Sequence, residues 1–303
     1  MTTETSPTLT SASRTNDMWL VAMPGVFVLL WSTGFIGAKL GLPYAEPFTF
    51  LFLRFAALTV ILVSVALIFR APWPCDFPAF GRVALVGLLV HGGYLGGVFS
   101  AIAVGMPAGV IALIVGLQPI LSAVGAGMFL GEKVTRRQWV GLVLGLMGVA
   151  LVLGDKLTLS IDSFAAPVMA LFALMCITVG TIYQKRHGDA MDLRSGSAIQ
   201  FAAAGIPTGI CALLFETREV VWSGEFVFAL TWLVLVLSIG AISLLFVLIR
   251  RGAVAKVTSL FYLTPAVTAL IAWGLFDETL QPLAIVGMVV VITAVALVTI
   301  KKT

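Results

Sequence analysis

Two prolines, Pro119 and Pro265, stand 146 residues apart within apolar stretches, and each follows a polar side chain, Gln118 or Thr264. Proline carries no N–H, so in a helix the carbonyls of Val115 and Phe261, four residues earlier, lose their usual donor. A carbonyl freed at membrane depth is tolerated only where it faces protein or a wet cavity. The matched pair reads as two bends flanking a substrate pocket; the alternative is that the prolines only shape helix packing, since proline is common in membrane helices. The other side chains suited to hold a small solute are Trp31, His91, Tyr94, Ser243 and Tyr262. With Gln118 and Thr264 they are the expected substrate-binding residues, Pro119 and Pro265 being the bends beside them. His91 and Tyr94 lie three apart and so share a helix face. Two readings of His91 stand side by side: a group that binds solute or carries a proton, or a satisfied histidine near a helix end. Gly92, Gly93, Gly96 and Gly97 beside it form overlapping Gly-x3-Gly pairs, which read as helix-packing surfaces.

The chemistry is binding, and the distribution of charge narrows it. Every Asp and Glu falls in a tail, a loop or a helix end. A carrier that trades protons for lipophilic cations is expected to hold a buried carboxylate at mid-membrane, so that class is disfavoured. A neutral, aromatic, hydroxyl-rich pocket suits an amino acid, an aromatic metabolite or another small zwitterion. Arg54 is the one strong charge well inside an apolar stretch, 8 residues beyond Glu46 and so about 12 Å along a helix. From there its side chain can snorkel to the interface, and a structural pairing role is favoured over substrate contact. Glu132 and Glu278 read as loop anchors, with Arg136 at helical ion-pair spacing from Glu132. No Walker sequence and no metal-binding motif occurs, so neither a cofactor nor a metal is expected.

Such side chains need long apolar helices to hold them at depth. Of 303 residues 60% are hydrophobic and 11% charged, with a mean hydropathy of +1.11. A water-soluble domain of that composition would expose too much apolar surface to stay dispersed. The net charge of +4 is therefore not a nucleic-acid footprint. A crossing takes roughly 20 apolar residues for a hydrocarbon core about 30 Å thick. Ten are predicted, near 19–39, 47–69, 81–103, 107–130, 136–153, 164–184, 195–215, 226–249, 255–276 and 281–300. Residues 1–18 read as a disordered cytoplasmic tail.

The offset of 146 recurs without gaps from Lys39 to Lys185, Glu132 to Glu278 and Gly141 to Gly287, and carries Phe55-Ala56-Ala57 onto Phe201-Ala202-Ala203. Two units of five crossings follow, 19–157 and 163–303, and the odd number inverts the second in the bilayer. With the N-terminus cytoplasmic, fourteen of the 18 basic residues fall on the inner side, and only Lys39, Lys156 and Arg218 outside. Both termini are therefore expected in the cytoplasm.

Residues 31–39, Trp-Ser-Thr-Gly-Phe-Ile-Gly-Ala-Lys, followed by Arg54-Phe55, resemble the first two helices of the EamA family of the drug/metabolite transporter superfamily. Leu117-Gln118-Pro119, Gly131-Glu132-Lys133 and the glycine-spaced run Gly141, Gly145, Gly148 strengthen the resemblance, which extends from about Trp19 to Ile300. The second half repeats it more loosely, with Asp277 in place of Gly131. The resemblance implies an all-α polytopic membrane protein whose ten transmembrane helices form two inverted five-helix repeats around a central cavity. The first, third, fourth, sixth, eighth and ninth helices would line that cavity, in a bacterial cytoplasmic (inner) membrane.

The expected activity is secondary transport of a small metabolite by alternating access, with efflux as the family's commoner direction and uptake as the alternative. The partners are then a small-molecule substrate, the lipid bilayer and a coupling proton or exchanged solute, with no nucleic acid. A membrane-embedded enzyme would need clustered carboxylates or histidines. Here His91 and His187 stand on different helices with no acidic partner in a His-Glu-x2-His or Asp-rich motif. A scaffold would need neither a wet polar centre nor inverted halves.

Overall fold

The computed structural model describes residues 11–106, 108–154, 164–188, 191–276 and 280–300. Helices follow one another along the chain: α1 Ser11–Gly41, α2 Pro47–Ile68, α3 Phe77–Ala103, α4 Val110–Leu130 and α5 Arg136–Leu153. The second half continues with α6 Ala165–His187, α7 Leu193–Phe215, α8 Gly224–Arg251, α9 Val254–Leu275 and α10 Pro282–Thr299. Among the described residues there is no strand, only an isolated bridge between Ala45 and Val220. Helices answer the physical demand of hydrocarbon, since each satisfies its own backbone groups.

Local chemistry sets the ends. Asp76 caps α3 by accepting from the Ala79 N–H at 2.6 Å, and Thr135 with Gln138 closes a capping box on α5. Pro47 and Pro282 occupy first-turn positions, where a missing N–H costs nothing. α1 starts at Ser11, so residues 11–18 of the expected disordered tail are helical. No proline or glycine interrupts Ser11–Met18, and the helix runs on past the apolar span.

Gly131, with φ +68°, ends α4 in the left-handed conformation that glycine adopts without strain. Glu132 therefore leaves the helix, and the expected pairing with Arg136 does not form. Its carboxylate instead accepts the Val254 N–H at 2.9 Å and caps the start of α9. Asp277, Glu278 and Lys156 lie outside the described residues.

The helix contacts mirror the repeat. The first helix of each half packs on the third and fourth of the other: α1 on α8 and α9, α6 on α3 and α4. The equivalent helices α2 and α7 pack on each other, as do α5 and α10. Glycines make the last pair close. A Cβ on Gly148 would stand 2.6 Å from a Val291 methyl, and one on Gly287 2.6 Å from the Val152 nitrogen.

Loop contacts define two faces. Opposite the termini, Glu216 at the end of α7 accepts the Phe48 and Thr49 N–H groups of α2, each at 2.7 Å. Glu46, before α2, returns the arrangement by accepting from the Thr217 N–H at 2.7 Å and its hydroxyl at 2.6 Å. The Thr217 hydroxyl holds the Glu46 carboxyl below its ordinary range. On the face of the termini, Ser195 donates to the Pro72 carbonyl at 2.6 Å and Lys185 to that of Arg250 at 3.0 Å.

Asp192 caps α7 there and accepts from the Arg194 guanidinium at 2.8 and 3.0 Å. Arg194 lowers the Asp192 carboxyl from 3.8 to about 2. A depressed carboxyl stabilises the fold above its unfolded value and loses that contribution as pH falls through its folded value. The stability difference between wild type and Asp192→Asn should thus be full at pH 6 and vanish between about pH 4 and pH 2. Thermal unfolding in detergent across that range measures it.

Candidate functional site

A cavity of about 130 Å³ lies between the two halves. Trp31, Gly34 and Ala38 of α1 line it, with Tyr94, Val98, Phe99 and Ile102 of α3 and Ile111, Val115, Gly116 and Gln118 of α4. Ile177 of α6, Leu237 of α8, and Phe261, Tyr262, Thr264 and Pro265 of α9 complete the wall, joined by Arg54 of α2 and Val149 of α5. The six helices implied by the family resemblance all contribute.

Both helix breaks lie at the cavity. Between Gly116 and Leu117 the α-helical pattern of α4 lapses, the Leu117 N–H turning back to the Ile114 carbonyl at 3.1 Å before a helix resumes at Gln118. In α9 a 3₁₀ turn, Leu260–Tyr262, precedes the segment carrying Pro265. Pro119 and Pro265 supply no N–H to Val115 and Phe261, and both of those residues line the cavity. An aromatic wall stands beside the second break. Trp31 meets Phe261 edge-on at a centroid distance of 5.0 Å, and Phe27 backs both rings at 5.5 Å.

Polar groups converge on the same space. The Tyr262 hydroxyl and the Thr264 hydroxyl are buried without a hydrogen-bond partner among the described residues. Gln118 reaches Thr181 of α6 through a long hydrogen bond of 3.4 Å. Gly145 makes room for the Tyr262 ring, because a Cβ there would sit 2.3 Å from it.

Of the residues expected at the site, the cavity brings together Trp31, Tyr94, Gln118, Tyr262, Thr264 and Pro265. His91, Ser243 and Pro119 lie outside its lining. His91 is 1% exposed and stacks on Phe201 of α7 at 4.3 Å, with Phe55 and Phe246 around it. It parts from Tyr94 because Leu88–Gly93 is a π-helical stretch. Its i→i+5 bonds widen the turn, so residues three apart no longer share a face.

A second π stretch, Leu233–Ala241, occupies the equivalent position in α8. It brings Leu237 to the cavity and turns Ser238 toward α2, while Ser243 lies beyond it. Pro119 is buried within α4, one residue past the lining position of Gln118.

Arg54 meets the expectation of a pairing role but not that of snorkelling. It does not snorkel: it is 4% exposed, and its Nε and Nη2 donate to the Ser238 hydroxyl at 3.1 and 2.8 Å. Of the two glycine pairs of α3, Gly93 and Gly97 form the close packing surface: a Cβ on Gly93 would meet the Cys176 sulfur at 2.5 Å and one on Gly97 the Met169 carbonyl at 2.8 Å, whereas one on Gly92 or Gly96 would find its nearest atom at 3.7 or 3.6 Å.

Two repeated halves enclosing one cavity, with a broken helix from each at its wall, have the architecture of a membrane transporter. Comparison with known proteins gives the family. The model of the EamA-like transporter family matches twice, over residues 19–154 and 165–300, and the chain belongs to that family. It is 28% identical to the uncharacterized inner membrane transporter YedA of Escherichia coli, over 90% of this chain and 88% of that protein. The uncharacterized transporter YvbV of Bacillus subtilis is 26% identical over 91% of this chain and 90% of its own. A probable amino-acid metabolite efflux pump of Salmonella typhimurium is 27% identical, covering 87% of this chain and 89% of the pump. One crystal structure superposes with a TM-score of 0.78 at 19% identity, over 91% of this chain and 96% of that one, which shows the fold.

Proposed function

We propose that the protein is a secondary carrier that exports a small neutral or zwitterionic metabolite, such as an amino acid, by alternating access. The observation that carries this reading is the cavity itself. It joins the Val115 carbonyl, which Pro119 leaves without its usual donor, to Tyr262 and Thr264, whose hydroxyls have no partner among the described residues, and to the Trp31–Phe261 wall. Acceptors and donors beside an aromatic surface suit a solute that is polar at one end and apolar at the other.

The cavity reaches toward the face opposite the termini. Ala38, Ile102 and Ile111, close to the ends of α1, α3 and α4 on that face, all line it. On the face of the termini, α4 packs on the start of α9, and Glu132 ties the two together. With both termini in the cytoplasm, as the basic residues favour, this is the outward-facing state of a carrier in the bacterial inner membrane. The amino-acid efflux named for the Salmonella relative agrees in solute class and direction.

The test is counterflow in liposomes with purified protein over a panel of amino acids and other small metabolites. Saturable exchange of at least one neutral amino acid is expected, and single-cysteine labelling should place positions 156 and 251 on opposite sides. If no solute in the panel moves, the reading fails.

A further inference from the structure

The geometry points to Arg54 as the anion anchor of the cavity, so that the transported solute bears a carboxylate. This rests on the carrier reading above and narrows its solute class. A guanidinium offers five N–H donors, and a hydroxyl oxygen has only two lone pairs. Arg54 spends its Nε and Nη2 on the single Ser238 oxygen, and its Nη1 donates to no described residue. Nor does any acidic side chain pair with it among the described residues. The ion pair found there, Arg194–Asp192, lies at the start of α7 on the face of the termini.

A cation this deeply buried is costly unless paired. A carboxylate entering the cavity would supply the missing partner through charge-assisted hydrogen bonds. Tyr262 and Thr264, 1% and 4% exposed and with hydroxyls that have no partner among the described residues, line the same space. The repeat sharpens the argument. The position 146 residues after Arg54 is Gln200, which is neutral, bonds Gln184 at 3.3 Å and does not line the cavity. Among the described residues, positive charge therefore enters the pocket from one half only. A zwitterion would bind with its carboxylate at Arg54 and its ammonium toward the Val115 carbonyl, which Pro119 leaves without its usual donor.

The experiment measures binding by purified protein of L-phenylalanine, L-leucine and L-threonine, each as the free acid and as its amide, with liposome counterflow of the same probes. For at least one pair the acid should bind about tenfold tighter or more than the amide, the range of a hydrogen bond to a charged group. Arg54→Gln should bring that ratio close to one, Arg54→Lys should retain part of it, and Ser238→Ala, which keeps the guanidinium, should preserve it. A purely structural arginine would change abundance or melting temperature and leave the ratio alone.

Equal binding of acid and amide by wild type overturns the anchor, as does an unchanged ratio in folded Arg54→Gln. Should Arg54→Gln not fold, the ratios in wild type and Arg54→Lys decide. If the amides or phenethylamine are carried and the acids are not, the anchor falls and the carrier reading stands. If no probe is carried, both fall.

Discussion

Gly87→Ala is expected to lower the stability of the protein by about 3 kcal/mol, the upper end of the range for overpacking a close-packed interior. Gly87 lies in α3 where α7 crosses it, and a Cβ there would stand 2.2 Å from the Gln200 carbonyl oxygen and 2.4 Å from its Cα. Both obstacles are backbone, so no rotamer change relieves the clash and the two helices must separate. That crossing also seats His91 against Phe201, so the separation loosens a buried aromatic contact as well. Thermal unfolding in detergent reads the loss. Gly81→Ala on the same helix is the control, since a Cβ there meets nothing within 4 Å and helix propensity favours alanine by about 0.5–1 kcal/mol. Equal melting temperatures for the two variants would refute the α3–α7 geometry.

Trp31→Ala is expected to weaken solute binding about tenfold or more while the protein still folds. The indole is 9% exposed and packs on Phe27 and Phe261 beside the break in α9. Removing it takes away one wall of the cavity and the partner that orients Phe261. Aromatic pairs contribute about 0.5–1.5 kcal/mol beyond the area they bury, and truncating a buried aromatic costs about 3–5 kcal/mol of stability in a filled core. At a cavity wall part of that cost falls on affinity, because the solute fills the space the ring helps enclose. Trp31→Phe should restore most of the binding. Concentration dependence of counterflow separates affinity from abundance. Unchanged half-saturation in a folded Trp31→Ala protein would remove this wall from the site.

Much of this site is legible in the residues because its signals are backbone and periodicity signals. Proline lacks an N–H wherever it sits, so Pro119 and Pro265 announced two breaks, and Val115 and Phe261 beside them do line the cavity. Gln118 and Thr264 followed from their places beside those prolines, and Trp31 and Tyr262 from their depth in apolar stretches. The misplacements share one cause. His91 was placed beside Tyr94 with the ordinary helical repeat and Ser243 by its depth in the eighth helix, whereas α3 and α8 each contain a π-helical stretch that changes the repeat locally. No residue type announces such a stretch.

The chain by itself determined the number and order of the apolar helices, the repeat at 146 and hence the inversion of its halves. Those properties depend on local hydrophobicity and on spacing, which every residue carries with it. Only the tertiary structure decided that Arg54 turns inward to Ser238, that Glu132 caps α9 rather than pairing with Arg136, and that Gly87 meets the backbone of α7. Each is a contact between residues far apart in the chain. Such contacts are set by how helix surfaces interlock, a property of pairs that no single helix holds.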